Sequence, residues 1–240
     1  MELLVAALSL ATAATDAAGS VYASSSCCGA HPELCKPLSP QPGPQQEVIA
    51  FHAPGMYGAN AESWQTYDFD KLTGVGMFTP ADAELICRAH AKKVRILDWF
   101  TCNGPNGDPN YHHGIQLNPH NQPWMLLNAT EIAMYVDYST KCVKKFGFDG
   151  MVLDVESLPW PCPPGGCNAT NANATVSEVR SGLTDLVCAL KHSLREAIPG
   201  SVLTFTTAGN PIAFSNSMDY AAMSECLDCE SLLLSSILGL

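Results

Sequence analysis

The sequence predicts an α/β protein in which parallel strands are joined by helical crossovers. Short apolar runs bounded by turn or polar residues alternate along the chain with longer segments of helical periodicity. Apolar residues make up 47% of the 240 residues and charged residues 15%, which is typical of a globular domain with a sizeable core. Strand–helix alternation indicates parallel pairing, but it leaves open whether the sheet closes into a barrel or stays open and doubly wound.

Five runs have the composition of buried strands, and three segments have that of helices. The expected strands cover residues 48–53, 74–79, 94–99, 150–156 and 202–207, and a sixth could begin near residue 229. The expected helices cover residues 80–93, 130–145 and 176–198. The first helix has Thr79 as a candidate N-cap before Pro80, and the second begins at Asn128 or Thr130.

The ends of the chain differ in composition from its middle. Residues 1–23 are expected to be a signal peptide, because a short apolar run ends in small residues that fit a cleavage site. An ordinary N-terminal helix is the alternative, favoured by the lack of Lys or Arg near the start. Residues 24–46 form a cysteine-rich arm and a linker rich in Pro, Gly and Gln, and residues 47–240 form the α/β domain.

Cysteines and glycosylation sequons indicate a secretory route, ending in the lysosomal lumen or outside the cell. Eleven cysteines suggest disulfides formed in an oxidising compartment. A local disulfide is expected between Cys162 and Cys167, whereas Cys226 and Cys229 form either one disulfide or parts of two. Asn-x-Thr sequons mark three candidate glycosylation sites, at Asn128, Asn168 and Asn173.

Charge and motif content restrict the ligands. A net charge of −11 with only 12 Lys and Arg argues against a nucleic-acid partner but does not disfavour a neutral sugar. We expect no metal, no cofactor and no stable membrane span, and the oligomeric state stays open. The histidines of the loop at residues 100–127 are interpreted as solvated side chains, since they lack a regular spacing; they are His112, His113 and His120, with Asp108 nearby.

The fourth expected strand carries the residues best suited to catalysis. In a strand, alternate residues share a face, so Val152, Asp154 and Glu156 are expected on the face opposite Met151 and Leu153. Two carboxylates this close cannot both ionise cheaply, and one keeps its proton to higher pH. A proton donor beside an ionised carboxylate is the pair that glycosidic cleavage uses.

Two long loops follow expected strands, at residues 100–127 and 157–175, and therefore lie at the carboxyl edge of the sheet, where α/β folds place their chemistry. Trp99 and Trp160 adjoin or lie in these loops and are candidates for stacking on sugar rings, with packing in the core as the alternative.

The segment Asp149-Gly150-Met151-Val152-Leu153-Asp154-Val155-Glu156 resembles the signature of glycoside hydrolase family 18, whose fuller form is D-x-x-D-x-D-x-E. Segments 35–38, 64–69, 82–91 and 202–205 are similar to the chitobiase branch of that family. The resemblance implies a (β/α)8 TIM-barrel type of fold, here incomplete, with about five to six of eight strands and truncated at the C-terminus.

The family's mechanism implies a role for each acid. It is a substrate-assisted retaining hydrolysis of N-acetylglucosamine oligosaccharides, in which the sugar's N-acetyl oxygen attacks the anomeric carbon. Glu156 would be the general acid and then the base, Asp154 would orient the acetamide, and Asp149 would support the strand. Val152 departs from the family's polar residue at that position. A carbohydrate-binding protein without catalysis is therefore one alternative. A non-functional fragment is another, because the sequence is not expected to supply the last two strands of the barrel.

Overall fold

The structure is a computed structural model that describes residues 28–29, 31–39, 47–55, 60–78, 83–99, 102, 123–155, 175–208 and 218–233. The expected signal peptide lies outside these residues, and so do Thr79 and Pro80 at the expected start of the first helix. Residues 31–39 of the cysteine-rich arm are described, including a short 3-10 helix at Pro32–Cys35.

In the part of the chain that the structure describes, six parallel strands form one sheet, and every strand pairs with the next in sequence. They are β1 (Ile49–His52), β2 (Gly74–Met77), β3 (Arg95–Asp98), β4 (Gly150–Val155), β5 (Val202–Ala208) and β6 (Cys229–Leu233). A doubly wound sheet reverses its strand order at a switch point, and this order shows no reversal. The sheet therefore has the winding of a (β/α)8 barrel and accounts for six of its strands, which confirms the predicted incomplete barrel.

Helices connect the strands. They are α1 (Ala83–Ala91), α2 (Ala129–Phe146), α3 (Val176–Ala197) and the short α4 (Tyr220–Ser224). Asn128 is the N-cap of α2, where its side-chain oxygen accepts hydrogen bonds from the next residues' backbone N–H groups. Thr175 and Glu178 form a capping box at the start of α3. Among the described residues no helix is both long and apolar enough to cross a membrane.

The two faces of the sheet pack against different partners. Met151, Leu153 and Phe205 face outward and are buried in the main core with apolar residues of the helices. Val152 and Val202 face inward and belong to a smaller apolar cluster with Leu97 and Trp99. The alternation expected for the fourth strand is thus present, and it places Asp154 on the inner face.

Three disulfides join described residues, which confirms that the cysteines pair. They are Cys28–Cys87, Cys102–Cys142 and Cys188–Cys226. The first ties the N-terminal arm to α1 and the second ties the segment after β3 to α2. Because Cys226 pairs with Cys188, the Cys226–Cys229 spacing is not one local disulfide. Cys162 and Cys167 lie outside the described residues.

Candidate active site

Asp154 is the next-to-last residue of β4 and lies at the carboxyl edge of the sheet, on its inner face. Its strand is held between β3 and β5 by parallel pairing. In register, Asp154 lies opposite Thr206 of β5. This is the edge at which barrel enzymes place their reactive groups.

Both carboxylate oxygens of Asp154 accept hydrogen bonds from neighbouring strands. The indole N–H of Trp99, directly after β3, donates to Oδ2 with Nε1 and Oδ2 3.1 Å apart. The hydroxyl of Thr206 donates to Oδ1 at 2.7 Å. Each donor approaches from a different flanking strand, so the carboxylate is fixed in rotation as well as in position.

Trp99 itself is held by aromatic packing. Its ring lies between Phe51 of β1 and Phe78 after β2, with ring centroids 4.1 and 3.8 Å away, and only 7% of Trp99 is exposed. A ring buried in this way has little exposed surface, which favours the packing alternative for Trp99 over stacking on a sugar. The structure gives Trp99 contacts suited to holding Asp154.

The segment that carries Trp99 is anchored by a buried acid. Asp98 is fully buried, and its two oxygens accept from the backbone N–H of Cys102 at 3.1 and 3.2 Å. Cys102 is bonded in turn to Cys142 of α2, and the Ser139 hydroxyl donates to the Cys102 carbonyl at 3.0 Å. Four residues of this site carry no motif and were not singled out from the sequence: Asp98, Phe51, Phe78 and Thr206. Thr206 could have been found from the alternation in β5, which places Thr204 and Thr206 on one strand face.

Asp149 lies at the opposite end of β4 and has a different environment. It is buried, and its Oδ2 accepts from the backbone N–H of Ile96 at 2.6 Å and lies 2.9 Å from Nε2 of His90. Its Oδ1 accepts from the backbone N–H of Leu38 at 2.5 Å. These contacts join β3, β4, α1 and the N-terminal arm, as suits a residue that supports the strand.

His90 is the basic partner of that cluster. Burial lowers the pKa of His90, but the hydrogen bond and charge of Asp149 and the hydrogen bond to the Leu34 carbonyl outweigh burial and raise the pKa above its ordinary value. The geometry agrees, because Nδ1 lies 2.7 Å from the Leu34 carbonyl oxygen and Nε2 faces a carboxylate. Two acceptors require two N–H donors, which only the imidazolium form supplies.

The curated proteins to which the chain is similar in sequence are di-N-acetylchitobiases. The chain is 29% identical over 125 residues to the di-N-acetylchitobiase of Bos taurus, covering 52% of this chain and 56% of the relative. It is 25% identical over 189 residues to the di-N-acetylchitobiase of Homo sapiens, covering 79% of this chain and 38% of the relative. The resemblance to glycoside hydrolase family 18 is confirmed, and the chain is chitobiase-like. No protein-family profile matches the chain.

Solved structures give the same fold for this chitobiase-like chain. The C-terminal domain of a putative chitinase from Desulfitobacterium hafniense superposes with a TM-score of 0.51 at 15% identity, covering 78% of this chain and 54% of that domain. YKL-39, solved in the presence of chitooligosaccharides, superposes with a TM-score of 0.50 at 11% identity, covering 78% and 50%. The chain thus spans between about a third and just over half of the curated relatives' length.

Val152, two residues before Asp154 on the same face, is fully buried. It packs with Leu97, Trp99 and Val202, and in register it lies opposite Thr204 of β5. The Thr204 hydroxyl is buried and makes no hydrogen bond with the described residues. On the inner face of the sheet, next to Asp154, the aliphatic side chain of Val152 therefore lies beside the Thr204 hydroxyl.

Several other residues singled out from the sequence lie outside the described residues. Glu156, Trp160, Asn168 and Asn173 lie outside them, and so does the loop with the histidines at 112, 113 and 120. Asn128 is exposed at the start of α2, where its side-chain oxygen caps the helix. Its amide nitrogen is the atom that a glycan would modify.

Proposed function

We propose that the chain hydrolyses β-1,4 linkages in N-acetylglucosamine oligosaccharides, such as the chitobiose core or chitin fragments. The observation that carries this proposal is the Asp154 carboxylate, fixed through both oxygens at the carboxyl edge of a barrel-type sheet. In the sequence Glu156 follows two residues later, the spacing that puts both acids on one strand face. The names of the curated relatives, di-N-acetylchitobiases, support the same substrate class.

The proposed mechanism assigns one task to each acid. Glu156 donates a proton to the glycosidic oxygen while the acetamide oxygen of the sugar attacks the anomeric carbon and the glycosidic bond breaks. Asp154 orients the acetamide and stabilises the resulting oxazolinium cation. Glu156 then takes a proton from the water that opens this ring. Asp149 supports the strand through its backbone contacts and takes no part in proton transfer.

A carbohydrate-binding protein without catalysis is the second candidate, and Val152 is the observation that favours it. An aliphatic side chain exchanges no proton and accepts no hydrogen bond, so nothing at this position assists Asp154. The structure of YKL-39 solved with chitooligosaccharides shows that this fold occurs with such ligands present. Under this alternative the same edge of the sheet binds the sugar without cleaving it.

The cellular route is part of the proposal. Three disulfides among the described residues suit an oxidising compartment, and we assign the chain to the secretory pathway, either the lysosomal lumen or the extracellular space. Asn128, Asn168 and Asn173 are the proposed glycosylation sites.

The direct test compares sugar release by the unaltered chain with release by Glu156→Gln, which keeps the size of the side chain but not its proton. Release of N-acetylglucosamine from the dimer and trimer is expected to fall by a factor of about 100 or more in the variant. Equal background rates in both proteins would overturn the enzyme proposal. Saturable binding of the trimer without turnover would then support the carbohydrate-binding alternative.

A further inference from the structure

The lateral hydrogen bonds of Asp154 suggest roles for two residues that the sequence motif does not contain. We infer that Trp99 and Thr206 are positioning residues, which hold the Asp154 carboxylate in the orientation that the reaction needs. The inference rests on the proposed function in one respect only, namely that Asp154 takes part in catalysis. The hydrogen bonds themselves can be tested without any turnover.

The two donors fix the carboxylate because they engage different oxygens from different directions. Trp99 donates to Oδ2 from the β3 side and Thr206 donates to Oδ1 from β5. With one donor at each oxygen, rotation about the Cβ–Cγ bond breaks at least one hydrogen bond. Hydrogen bonds to a charged acceptor are stronger than those between neutral groups, so this restraint is substantial.

Both donors are themselves held rigidly, which separates a positioning role from a chance contact. The Trp99 ring is packed between Phe51 and Phe78, and its backbone N–H donates to the Met77 carbonyl of β2 at 2.9 Å. Thr206 is fully buried within β5. Donors on packed strands lose little conformational entropy when they bind the carboxylate.

Hydrogen bonds from the neighbouring strands are compatible with a valine at position 152. The neighbour of Asp154 two residues earlier on this strand face is Val152, which offers the carboxylate no polar atom. The nearest polar group on β5 at that level, the Thr204 hydroxyl, makes no hydrogen bond with the described residues. The support that Trp99 and Thr206 give to Asp154 comes from the adjacent strands and needs no polar side chain at position 152.

The kinetic test uses Thr206→Val, which removes the donor and keeps the shape, and Trp99→Phe, which keeps an aromatic ring. Each is expected to lower kcat roughly 10- to 100-fold with KM changed less than about threefold, as for a lost hydrogen bond to a charged group. The acid limb of the pH–rate profile is expected to move to higher pH, because the lost donor favoured the ionised form. Thr206→Ser keeps the hydroxyl and is expected to retain most of the activity.

Thr204→Val is the matched control, since it makes the same change on the same face of the same strand without touching Asp154. It is expected to leave kcat and the pH–rate profile unchanged. Equal losses in Thr204→Val and Thr206→Val would overturn the positioning role, because they would reflect disturbed packing of β5.

A second measurement decides the inference even if the chain releases no sugar. In ¹⁵N-tryptophan-labelled protein, the indole N–H resonance of Trp99, assigned by its loss in Trp99→Phe, is expected to shift as the carboxylate titrates. The shift is expected to disappear in Asp154→Asn and to persist in Glu156→Gln. An indole resonance unaffected by Asp154→Asn overturns the inference, whereas absent turnover with a titrating resonance overturns only the proposed function.

Discussion

Asp149 and Asp154 are carboxylates of one short segment, yet their surroundings give them different tasks. Asp149 is buried among backbone N–H donors and the His90 imidazolium, which commits its oxygens to holding structure. Asp154 is only partly buried and accepts hydrogen bonds from the Trp99 indole and the Thr206 hydroxyl. The difference in burial and partners supports a structural assignment for the first residue and a chemical one for the second.

Period-two alternation was sufficient to predict which residues of β4 share a face. It placed Val152 with Asp154 and opposite Met151 and Leu153, and the structure shows this arrangement. Alternation carries no information about contacts between strands, because these depend on register and on rings that arrive from elsewhere. For this reason the sequence left Trp99 open between stacking on a sugar and packing in the core, and Thr206 was not singled out.

The pH dependence of stability is expected to follow His90. Its folded-state pKa is raised above the ordinary 6.5, so its contribution is fully present below that value and is lost as pH rises through the folded pKa. Deprotonation leaves one of two acceptors without a donor, either Asp149 or the Leu34 carbonyl. Chemical denaturation at a series of pH values is expected to show this loss for the unaltered chain and a flatter profile for His90→Asn.

His192 supplies the control for this experiment, because it is a largely exposed histidine on α3. His192→Asn is expected to keep the pH dependence of the unaltered chain. A His90→Asn profile with the same slope as the unaltered chain would contradict the assignment of His90 as the titrating group.

The buried Thr204 hydroxyl is expected to reduce stability. It has no hydrogen-bond partner among the described residues, and an unsatisfied buried hydroxyl costs about 1–3 kcal/mol. Thr204→Val replaces it with a methyl group of similar size and is expected to raise the free energy of unfolding by about 1 kcal/mol. Thr206→Val, which loses a made hydrogen bond, is expected to lower it. A loss of stability in Thr204→Val would contradict this account.

Among the elements of the fold, β4 begins at Gly150, a position that only glycine fits. Gly150 has φ of +155°, and a β-carbon built there would overlap the Val202 carbonyl oxygen of β5. Gly150→Ala is therefore expected to lower the free energy of unfolding by about 3 kcal/mol or more, measured by denaturant titration. Gly74→Ala in β2 is the control, because its β-carbon would meet its nearest neighbour, Ile49 Cγ1, at an ordinary 3.5 Å. Equal effects of the two substitutions would argue against this constraint.

An aspartate before the strand recurs in the second half of the sheet. Asp149 exchanges two hydrogen bonds with Ile96, one from its backbone N–H and one to its side chain, and Asp228 makes the same pair with Leu203. Each aspartate also pairs with a basic side chain of a helix, His90 of α1 and Lys191 of α3. The repeat supports the interpretation that Asp149 sets the entry of β4 and is not specific to catalysis.

Most elements were predictable because their local signals were strong. The five expected strands differ from those observed by at most two residues at either end, and the two long helices agree as closely. The short helix α4, with five residues, was missed because so few residues show no clear periodicity. The capping box at Thr175 and Glu178 agrees with the expected start of α3 at residue 176.

At the scale of the whole molecule, local patterns could not decide between a barrel and a doubly wound sheet. Both folds use the same alternation of strands and helices, and they differ only in the order in which strands pair. The choice of a barrel came from the eight-residue motif on β4, and the sequential pairing of all six strands bears it out. Cross-strand contacts such as that between Trp99 and Asp154 follow from this order, because it makes β3, β4 and β5 neighbours.

We propose that this edge of the sheet cleaves N-acetylglucosamine oligosaccharides with help from the substrate's acetamide. Time-resolved proton NMR of the β-linked trimer, incubated with the unaltered chain, tests it most directly because it reports both release and anomeric configuration. The new reducing end is expected to form first as the β-anomer, since two successive displacements retain the configuration. A product that forms first as the α-anomer, or no release above that of Glu156→Gln, would contradict it.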